Sequence, residues 1–473
     1  MKNWLLAASM ILGAAAASAQ GYKINLTLKP FTSGTAYLAY HYGEGKGIAD
    51  SARIDASGKA VFQGSRPLPG GLYIVVSPQR VIMCELLLDK QQNFSISIDT
   101  NNLRNVVFTG SPENEAFDSY RKYSDEIGQK IVAFQEALKT APPDQQETLR
   151  NQIASLNKEL DTYRKNFMTK NPSSILTAFF KTIREPEIPP AEQHPGGKYD
   201  TLYAFNYYKS HFWGGVSFAD GRLVRTPFFK PKLQRYFQQC VFPDPDSIIV
   251  EADKMLAAAE PSKDMFNFLL GHFIDKYINP EYMGQDKVFV HLFEKYINAG
   301  KADWLNEKQR KYVNERAYSL MANQLGNPAA VLNLLDTSGV RRSLYDIKAP
   351  FTVVVFWDAT CGHCKEVVPK VDSLFRAKWK NEGIAVYGVM VDGGLPAWKK
   401  FIAENNLTGW IHVYQPDEDR DADYAAGRPN FRQLYDVYQT PVLYLLDENK
   451  RIIAKKLSYD QLDKVIELKK NKS

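Results

Sequence analysis

One stretch near the C-terminal end constrains the chain more than any other feature. The apolar run Val353–Trp357 leads through three residues into Cys361-Gly362-His363-Cys364. A continuous apolar run of this length is typical of a buried strand, and the residues that follow have the composition of a helix. The sequence therefore predicts a buried strand that delivers Cys361 to the first turn of a helix.

This position suits a reactive thiol. Unpaired N–H groups and the positive end of the helix dipole stabilise an anion at the first turn, and such a setting can lower a cysteine pKa from about 8.5 to between about 3.5 and 7.5. The thiolate is the nucleophile of disulfide exchange, and Cys364 lies one turn further along nearly the same helix face. We predict that Cys361 attacks and Cys364 resolves, with a redox-active Cys361–Cys364 disulfide and no other cofactor.

The segment resembles the active site of the thioredoxin-like extracytoplasmic proteins of the TlpA and ResA type. Pro369 lies where that family has a helix-kinking proline, and Thr440-Pro441 precedes an apolar run as the family's cis-proline loop does. The resemblance implies a thioredoxin fold and thiol–disulfide oxidoreductase activity for the last part of the chain. The preceding segments resemble the N-terminal extensions of large thioredoxin-like proteins of gut-type bacteria.

The resemblance also suggests roles for individual residues. Thr440, Pro441 and Trp357 are expected to dock the substrate. Gly362 and His363 are expected to tune the redox potential, since the Gly-His dipeptide is shared with protein disulfide isomerase centres. A protonated His363 would stabilise the neighbouring thiolate and make the pair more oxidising. The sequence leaves open whether the centre acts as a reductase or an isomerase.

Two positions depart from the family pattern. Thr360 stands where thioredoxins usually have a tryptophan, and Val355 stands where they have a buried acid that helps to deprotonate the resolving thiol. Cys364 must therefore lose its proton to another base or to water. Glu366 is a poor substitute, because it lies about 140° around the helix from Cys361.

The chain has only four cysteines, too few for a disulfide scaffold. We expect Cys84 and Cys240 to be buried, inert thiols, with a disulfide between them as the open alternative. A zinc site at Cys361 and Cys364 is disfavoured because no second ligand pair has suitable spacing and His412 stands alone. We therefore expect no metal.

The first 19 residues have the pattern of an export signal. Lys2 is followed by the apolar run 4–17 and by Ala17-Ser18-Ala19, which fits a small-x-small cleavage site. We expect an exported, periplasmic protein that is soluble after cleavage, in a compartment where disulfides persist. The expected partners are protein thiols and disulfides, together with a membrane-borne electron donor or acceptor.

Composition narrows the remaining functions. The formal charge of +6 is small for 473 residues, and basic residues are interleaved with acidic ones, so a nucleic-acid partner is not expected. Hydrophobic residues make up 44% and charged residues 24%, as in globular proteins. The length exceeds what one core holds and suits three domains.

The rhythm of apolar residues predicts these three domains. Alternating apolar residues and glycine-rich turns predict an all-β, sandwich-like domain at 20–112, and helical spacing predicts an all-α domain at 113–328. Alternating strands and helices predict an α/β thioredoxin fold at 329–473. Within it, the acidic run 417–423 is expected to be a solvated loop.

A different class of function is a competing hypothesis. The large N-terminal part would bind a peptide or a glycan, and the thioredoxin domain would be an inert scaffold. The intact Cys361–Cys364 pair favours the enzyme. The sequence leaves the oligomeric state and the specific substrates open.

Overall fold

The computed structural model describes residues 21–103 and 105–471, and the predicted export signal at 1–19 lies outside them. The described chain divides by its internal contacts into two compact units. One contains the residues up to 241 together with 257–266, and the other contains 242–256 together with 267 onwards. Across the described ranges, no helix combines the length and the apolar character that a membrane crossing requires.

The first unit begins with a β-sandwich. Its strands within the described residues are β1 (Tyr22–Lys29), β2 (Thr35–Tyr42), β3 (Gly45–Arg53), β4 (Lys59–Gly64), β5 (Gly71–Val76), β6 (Ile82–Leu88), β7 (Asn93–Asp99) and β8 (Val107–Thr109). They form two four-stranded sheets in the orders β4-β1-β7-β8 and β3-β2-β5-β6. Alternate side chains of both sheets, such as Leu26 and Val75, share one core. The predicted β-rich N-terminal region is confirmed.

Helices complete the first unit. They are α1 (Pro112–Thr140), α2 (Pro143–Lys170), α3 (Ile175–Ile183), α4 (Thr201–His211) and α5 (Phe229–Gln239). Arg164 donates to Tyr120 at 2.8 Å, and Tyr123 donates to Glu159 at 2.5 Å. The residue further along α1 contacts the residue earlier in α2, so these two helices form an antiparallel hairpin.

Four further helices precede the C-terminal sheet. They are α6 (Pro245–Ala259), α7 (Lys263–Tyr277), α8 (Asp286–Leu292) and α9 (Glu307–Met321). The first two lie across the division between the units, whereas α8 and α9 belong to the second unit. A π-helical turn, Phe293–Ile297, extends α8. The predicted central helical region is thus confirmed.

The C-terminal region is an α/β layer structure. Its described strands are β9 (Asn333–Asp336), β10 (Arg341–Ser343), β11 (Phe351–Trp357), β12 (Ala385–Met390), β13 (Ile411–Tyr414), β14 (Val442–Asp447) and β15 (Ile452–Lys455). They form one sheet in the order β10-β9-β13-β12-β11-β14-β15. The interior strand β11 pairs parallel with β12 and antiparallel with β14.

Helices cover both faces of this sheet. They are α10 (Gly362–Leu374), α11 (Gly394–Glu404), α12 (Asp417–Ala425), α13 (Phe431–Leu434) and α14 (Tyr459–Lys470), and a π-helical turn, Phe375–Trp379, extends α10. Val353 and Val355 face the core under α10, whereas Val354 and Phe356 face the opposite core. Burial on both faces explains why β11 is a continuous apolar run.

The acidic run is an exception to the predictions. We expected a solvated loop at 417–423, but these residues form most of α12. Asp417, Glu418 and Asp419 occupy its first turn, where the helix dipole favours negative charge. Asp419 also contacts Arg341 at 2.9 Å. The acidic residues therefore stabilise the start of a helix here.

A buried ion pair links α8 to the sheet within the second unit. The Lys455 ammonium lies 2.7 Å from Asp286 Oδ2, and both side chains are only 4% exposed. It also donates to Asn323, at 2.7 Å to the carbonyl oxygen and 2.6 Å to Oδ1. Burial lowers the pKa of Lys455, and Asp286 opposes that effect.

Replacing Asp286 by asparagine should destabilise the second unit. The substitution leaves the Lys455 ammonium buried without a counter-charge, which costs about 3 kcal/mol. Urea unfolding followed by tryptophan fluorescence should show a lower midpoint. In the control, Asp392→Asn, the side chain is 60% exposed and pairs with Arg432, so a change below about 1 kcal/mol is expected. Equal midpoints for the two variants would contradict the assigned role of the buried pair.

Candidate active site

A tight turn connects β11 to the cysteine pair. Asp358 Oδ1 accepts hydrogen bonds from the backbone N–H and the hydroxyl of Thr360, both at 2.7 Å. Gly393 packs against this turn with a φ of 93°. A Cβ on Gly393 would lie 2.5 Å from Asp358 Oδ1, so the close approach requires glycine. Thr360, at the position where thioredoxins usually have tryptophan, thus helps to build the turn before Cys361.

The turn delivers both cysteines to the start of α10. Cys361 is the N-cap residue, and Cys364 lies inside the first turn with no exposed surface. The Asp358 N–H points at Cys364 Sγ over 3.5 Å, and Cys361 Sγ lies 3.5 Å from the Thr440 carbonyl oxygen. No disulfide joins any two of the four cysteines, all of which lie in the described residues. The structure thus shows the dithiol form of the pair.

The two thiols differ in their ionisation. The pKa of Cys361 is lowered, first because the backbone N–H of Cys364 donates to its sulfur. Thr440 and the N–H of His363 contribute in the same direction, and burial opposes them. Burial raises the pKa of Cys364 to about 11. Near neutral pH the accessible sulfur is therefore the better nucleophile, and the buried sulfur keeps its proton.

The docking residues predicted from the sequence do not all lie at the surface. The Thr440–Pro441 peptide bond is cis, and the Thr440 carbonyl lies beside Cys361. Trp357, in contrast, is fully buried, with its ring centroid 5.3 Å from that of Phe401. The prediction that Trp357 docks substrate is wrong, because its side chain points into the core under α10.

The exposed residues of the motif lie on the outer side of α10. Gly362 and His363 are both exposed. The His363 Nδ1 atom lies 4.0 Å from Glu366 Oε2, and the two side chains are 69% and 73% exposed. Glu366 therefore lies next to His363 in solvent. It does not replace the buried acid that thioredoxins have at the position of Val355.

His412 lies in the same row of the sheet as Val355. Val355 pairs with Gly388, and Gly388 pairs with His412. The His412 Nε2 atom lies 2.8 Å from the Leu407 carbonyl, whereas its buried Nδ1 has no hydrogen-bond partner among the described residues. Burial lowers the pKa of His412. From the sequence, His412 was only an isolated candidate zinc ligand. The described residues contain no group of three or more His, Cys, Asp or Glu side chains that could hold a metal ion.

A cavity of about 620 Å³ opens beside the cysteine pair. His363, Tyr438 and Pro441 line it from the C-terminal domain, and Arg316 and Asn279 line it from the helical segment of the same unit. The sequence gives no sign that Arg316 and Asn279 line this cavity, because they are far from the C-x-x-C motif in the chain and no local pattern marks a long-range contact.

The other two cysteines lie away from the motif. Cys84 lies on β6, where burial raises the pKa of its thiol to about 12. Cys240 is 1% exposed at the end of α5. The burial of Cys240 agrees with the expected buried thiol, whereas Cys84 is only partly buried.

These features together define a class of protein. A buried interior strand, a C-x-x-C pair at the start of the next helix and a cis-proline loop beside the first cysteine occur on one mixed sheet. The C-terminal region is a thioredoxin-like domain.

Three protein-family models match successive segments of the chain. Residues 325–455 match the AhpC/TSA family, residues 22–117 match a domain of unknown function called DUF4369, and residues 145–323 match another called DUF5106. No curated protein matches the chain. Residues 325–455 thus form an AhpC/TSA-type thioredoxin-like domain at the C-terminal end of the chain.

Several solved structures are similar to parts of the chain. A domain of a possible thiol-disulfide isomerase from Cytophaga hutchinsonii is 36% identical, with 31% of this chain and 94% of that chain covered and a TM-score of 0.28. A thiol:disulfide interchange protein from Bacteroides sp. is 29% identical, covering 31% and 90%, with a TM-score of 0.27. A thioredoxin-like protein from Bacteroides caccae is 18% identical, covering 60% and 98%, with a TM-score of 0.45.

Limited alkylation should distinguish the two thiols of the pair. With the reduced protein and substoichiometric iodoacetamide at neutral pH, we expect the adduct on Cys361, because its lowered pKa gives it the larger thiolate fraction. Cys84, with a pKa of about 12, is the internal control and should stay unmodified. Peptide mass spectrometry provides the measurement. Equal labelling of Cys361 and Cys364 would argue against the difference in ionisation.

Proposed function

We propose that this protein is a thiol–disulfide oxidoreductase that acts on exported proteins through its Cys361-Gly362-His363-Cys364 centre. The observation that carries the proposal is the placement of two unlike thiols within one helical turn: Cys361 is the N-cap of α10, 3.5 Å from the Thr440 carbonyl, and Cys364 is fully buried behind it. A merely structural disulfide needs no such difference, whereas ordered attack and resolution does.

The exchange proceeds in two balanced steps. The Cys361 thiolate attacks one sulfur of a substrate disulfide, forms a mixed disulfide and releases the other substrate sulfur as a thiolate, which takes up a proton. Cys364 then loses its proton and attacks Cys361 Sγ, which forms the Cys361–Cys364 disulfide and releases the second substrate thiolate. Two electrons pass to the substrate, and the reverse sequence oxidises a substrate dithiol. The reduction potentials of the two couples set the direction.

The charge of Cys361 helps to order these steps. Burial is the main cause of the raised pKa of Cys364, and the neighbouring charge of Cys361 adds to it. Formation of the mixed disulfide removes that charge, so the pKa of Cys364 falls when its thiolate is needed. Premature ionisation of the resolving thiol is thereby disfavoured.

Other residues adjust the centre. His363 is exposed two residues after Cys361, and its protonated form would stabilise the thiolate and make the pair more oxidising. Thr440 offers its backbone to an extended substrate segment, and Pro441 shapes the docking groove. We further propose that the chain works in the periplasm after removal of its leader, and that a membrane-borne partner restores its redox state. The redox-active disulfide is the only cofactor that this mechanism requires.

The variant Cys364→Ser should accumulate mixed disulfides with exported proteins. Without the resolving thiol, the Cys361–substrate bond persists, so non-reducing gels of cells that export the full chain should show high-mass species that a reductant removes. The matched control Cys361→Ser/Cys364→Ser should show none. A gel without trapped species, under conditions in which the wild-type protein is active, would contradict the proposal.

Insulin reduction separates this proposal from a binding protein with an inert thioredoxin scaffold. The wild-type protein should catalyse the reaction in the presence of dithiothreitol, and Cys361→Ser should not. Equilibration of the pair with glutathione buffers then gives its reduction potential, and hence the direction of exchange with a given partner.

A further inference from the structure

The cavity beside the cysteine pair has both apolar and charged lining residues. Val367, Pro441, Leu443 and Leu457 provide apolar surface. The charged groups are Arg316 from α9, Asp436 after α13 and Lys456 after β15. An occupant must therefore combine an apolar part with a part that suits these charges.

The charged groups form one network. Asp436 Oδ1 contacts Arg316, and Asp436 Oδ2 contacts Lys456. Arg316 also donates to the Ile278 carbonyl at 3.0 Å and to Asn279 Oδ1 at 3.1 Å. Both carboxylate oxygens of Asp436 are thus engaged. Burial alone would raise the pKa of Asp436, but Lys456 and Arg316 outweigh it and lower that pKa.

The network leaves an excess of positive charge in the cavity. Among the described residues that line it, two permanent cations face a single carboxylate. The side chains of Asp436 and Arg316 are 1% and 7% exposed, whereas that of Lys456 is 42% exposed. Since an ammonium group has three N–H donors, Lys456 can bind Asp436 and an incoming acceptor together.

The backbone holds two members of the network in an uncommon conformation. Asp436 has a φ of 51° and Lys456 a φ of 57°, in the left-handed region that non-glycine residues seldom adopt. Strain of this kind occurs preferentially where a site must be held in place. Here it fixes the Lys456 stem at the rim of the cavity.

The position of the cavity indicates what enters it. His363 and Pro441 line it. His363 lies two residues after Cys361, and Pro441 follows Thr440, whose carbonyl oxygen lies 3.5 Å from Cys361 Sγ. A substrate segment whose cysteine reacts with Cys361 and which continues past Pro441 therefore enters this space.

On the basis of the proposed function, we propose that the cavity selects acidic substrates. It binds a substrate segment that carries Asp or Glu close to the reacting cysteine. The carboxylate of that residue binds Lys456, while Arg316 of α9 holds the charged network in place. The apolar surface takes the neighbouring side chain of the segment. The helical segment thereby contributes to substrate choice as well as to the fold of the second unit.

Matched peptides test this selection in the full chain. Three peptides, identical except for Glu, Gln or Lys beside their single cysteine, are presented as mixed disulfides with a chromogenic aromatic thiol. The rate with the reduced protein is divided by the rate with dithiothreitol, which removes differences in intrinsic reactivity. At low ionic strength we expect the Glu peptide to react about fivefold faster than the Lys peptide, as one half-exposed charge pair allows, with a smaller ratio at high salt.

Charge variants identify the residue responsible. Lys456→Gln should reduce the Glu-to-Lys ratio towards one, and Lys456→Glu should reverse the preference. Lys400→Glu, on α11 with a side chain that is 72% exposed, makes the same change in net charge outside the cavity and should retain the wild-type ratio.

The possible outcomes separate the two proposals. If no peptide reacts with the wild-type protein, the proposed oxidoreductase function fails. If all three react at equal normalised rates, or if Lys400→Glu changes the ratio as much as Lys456→Glu, selection by the cavity is wrong while the exchange activity stands.

Discussion

The hydrogen bonds that the first turn of α10 offers to the sulfur of Cys361 are the interaction on which the site depends. The N–H groups at a helix N-terminus have no acceptor within the helix, so they can donate hydrogen bonds to an anion there. The backbone N–H of Cys364 contributes most to lowering the pKa of Cys361. The same turn buries Cys364 and raises its pKa to about 11. One structural element therefore gives two identical side chains different chemical roles.

The rest of the C-terminal domain keeps this turn in place. β11 is buried on both faces and cannot shift without exposing apolar side chains. The Asp358–Thr360 turn, against which Gly393 packs, sets where α10 begins. Within the same unit, the buried pair of Lys455 with Asp286 and the contacts of Arg316 join helices from the central region to this domain. Arg316 of α9 thereby lines the cavity beside the cysteine pair.

Local patterns in the sequence sufficed for the fold class and for the two cysteines, because a buried strand, a helix start and a C-x-x-C spacing are all encoded within about a dozen residues. They did not suffice for Trp357, since an apolar run does not show which of its side chains reach the surface. Long-range contacts were equally hidden. Arg316, Asp436 and Lys456 meet only through tertiary packing, and His412 joins the row of Val355 only through strand order. The acidic run did not predict the helix at Asp417–Ala425, because such runs also occur in solvated loops, although acidic residues favour a helix N-terminus.

A pH titration of the thiolate tests the central claim most directly. The ultraviolet absorbance of the reduced Cys364→Ser variant, with that of Cys361→Ser/Cys364→Ser subtracted, reports the ionisation of Cys361 without a contribution from Cys364. The structure predicts a midpoint below that of a free cysteine measured under the same conditions. A midpoint at or above that value would show that the first turn of α10 does not stabilise the sulfur anion, and the account of the site would be contradicted.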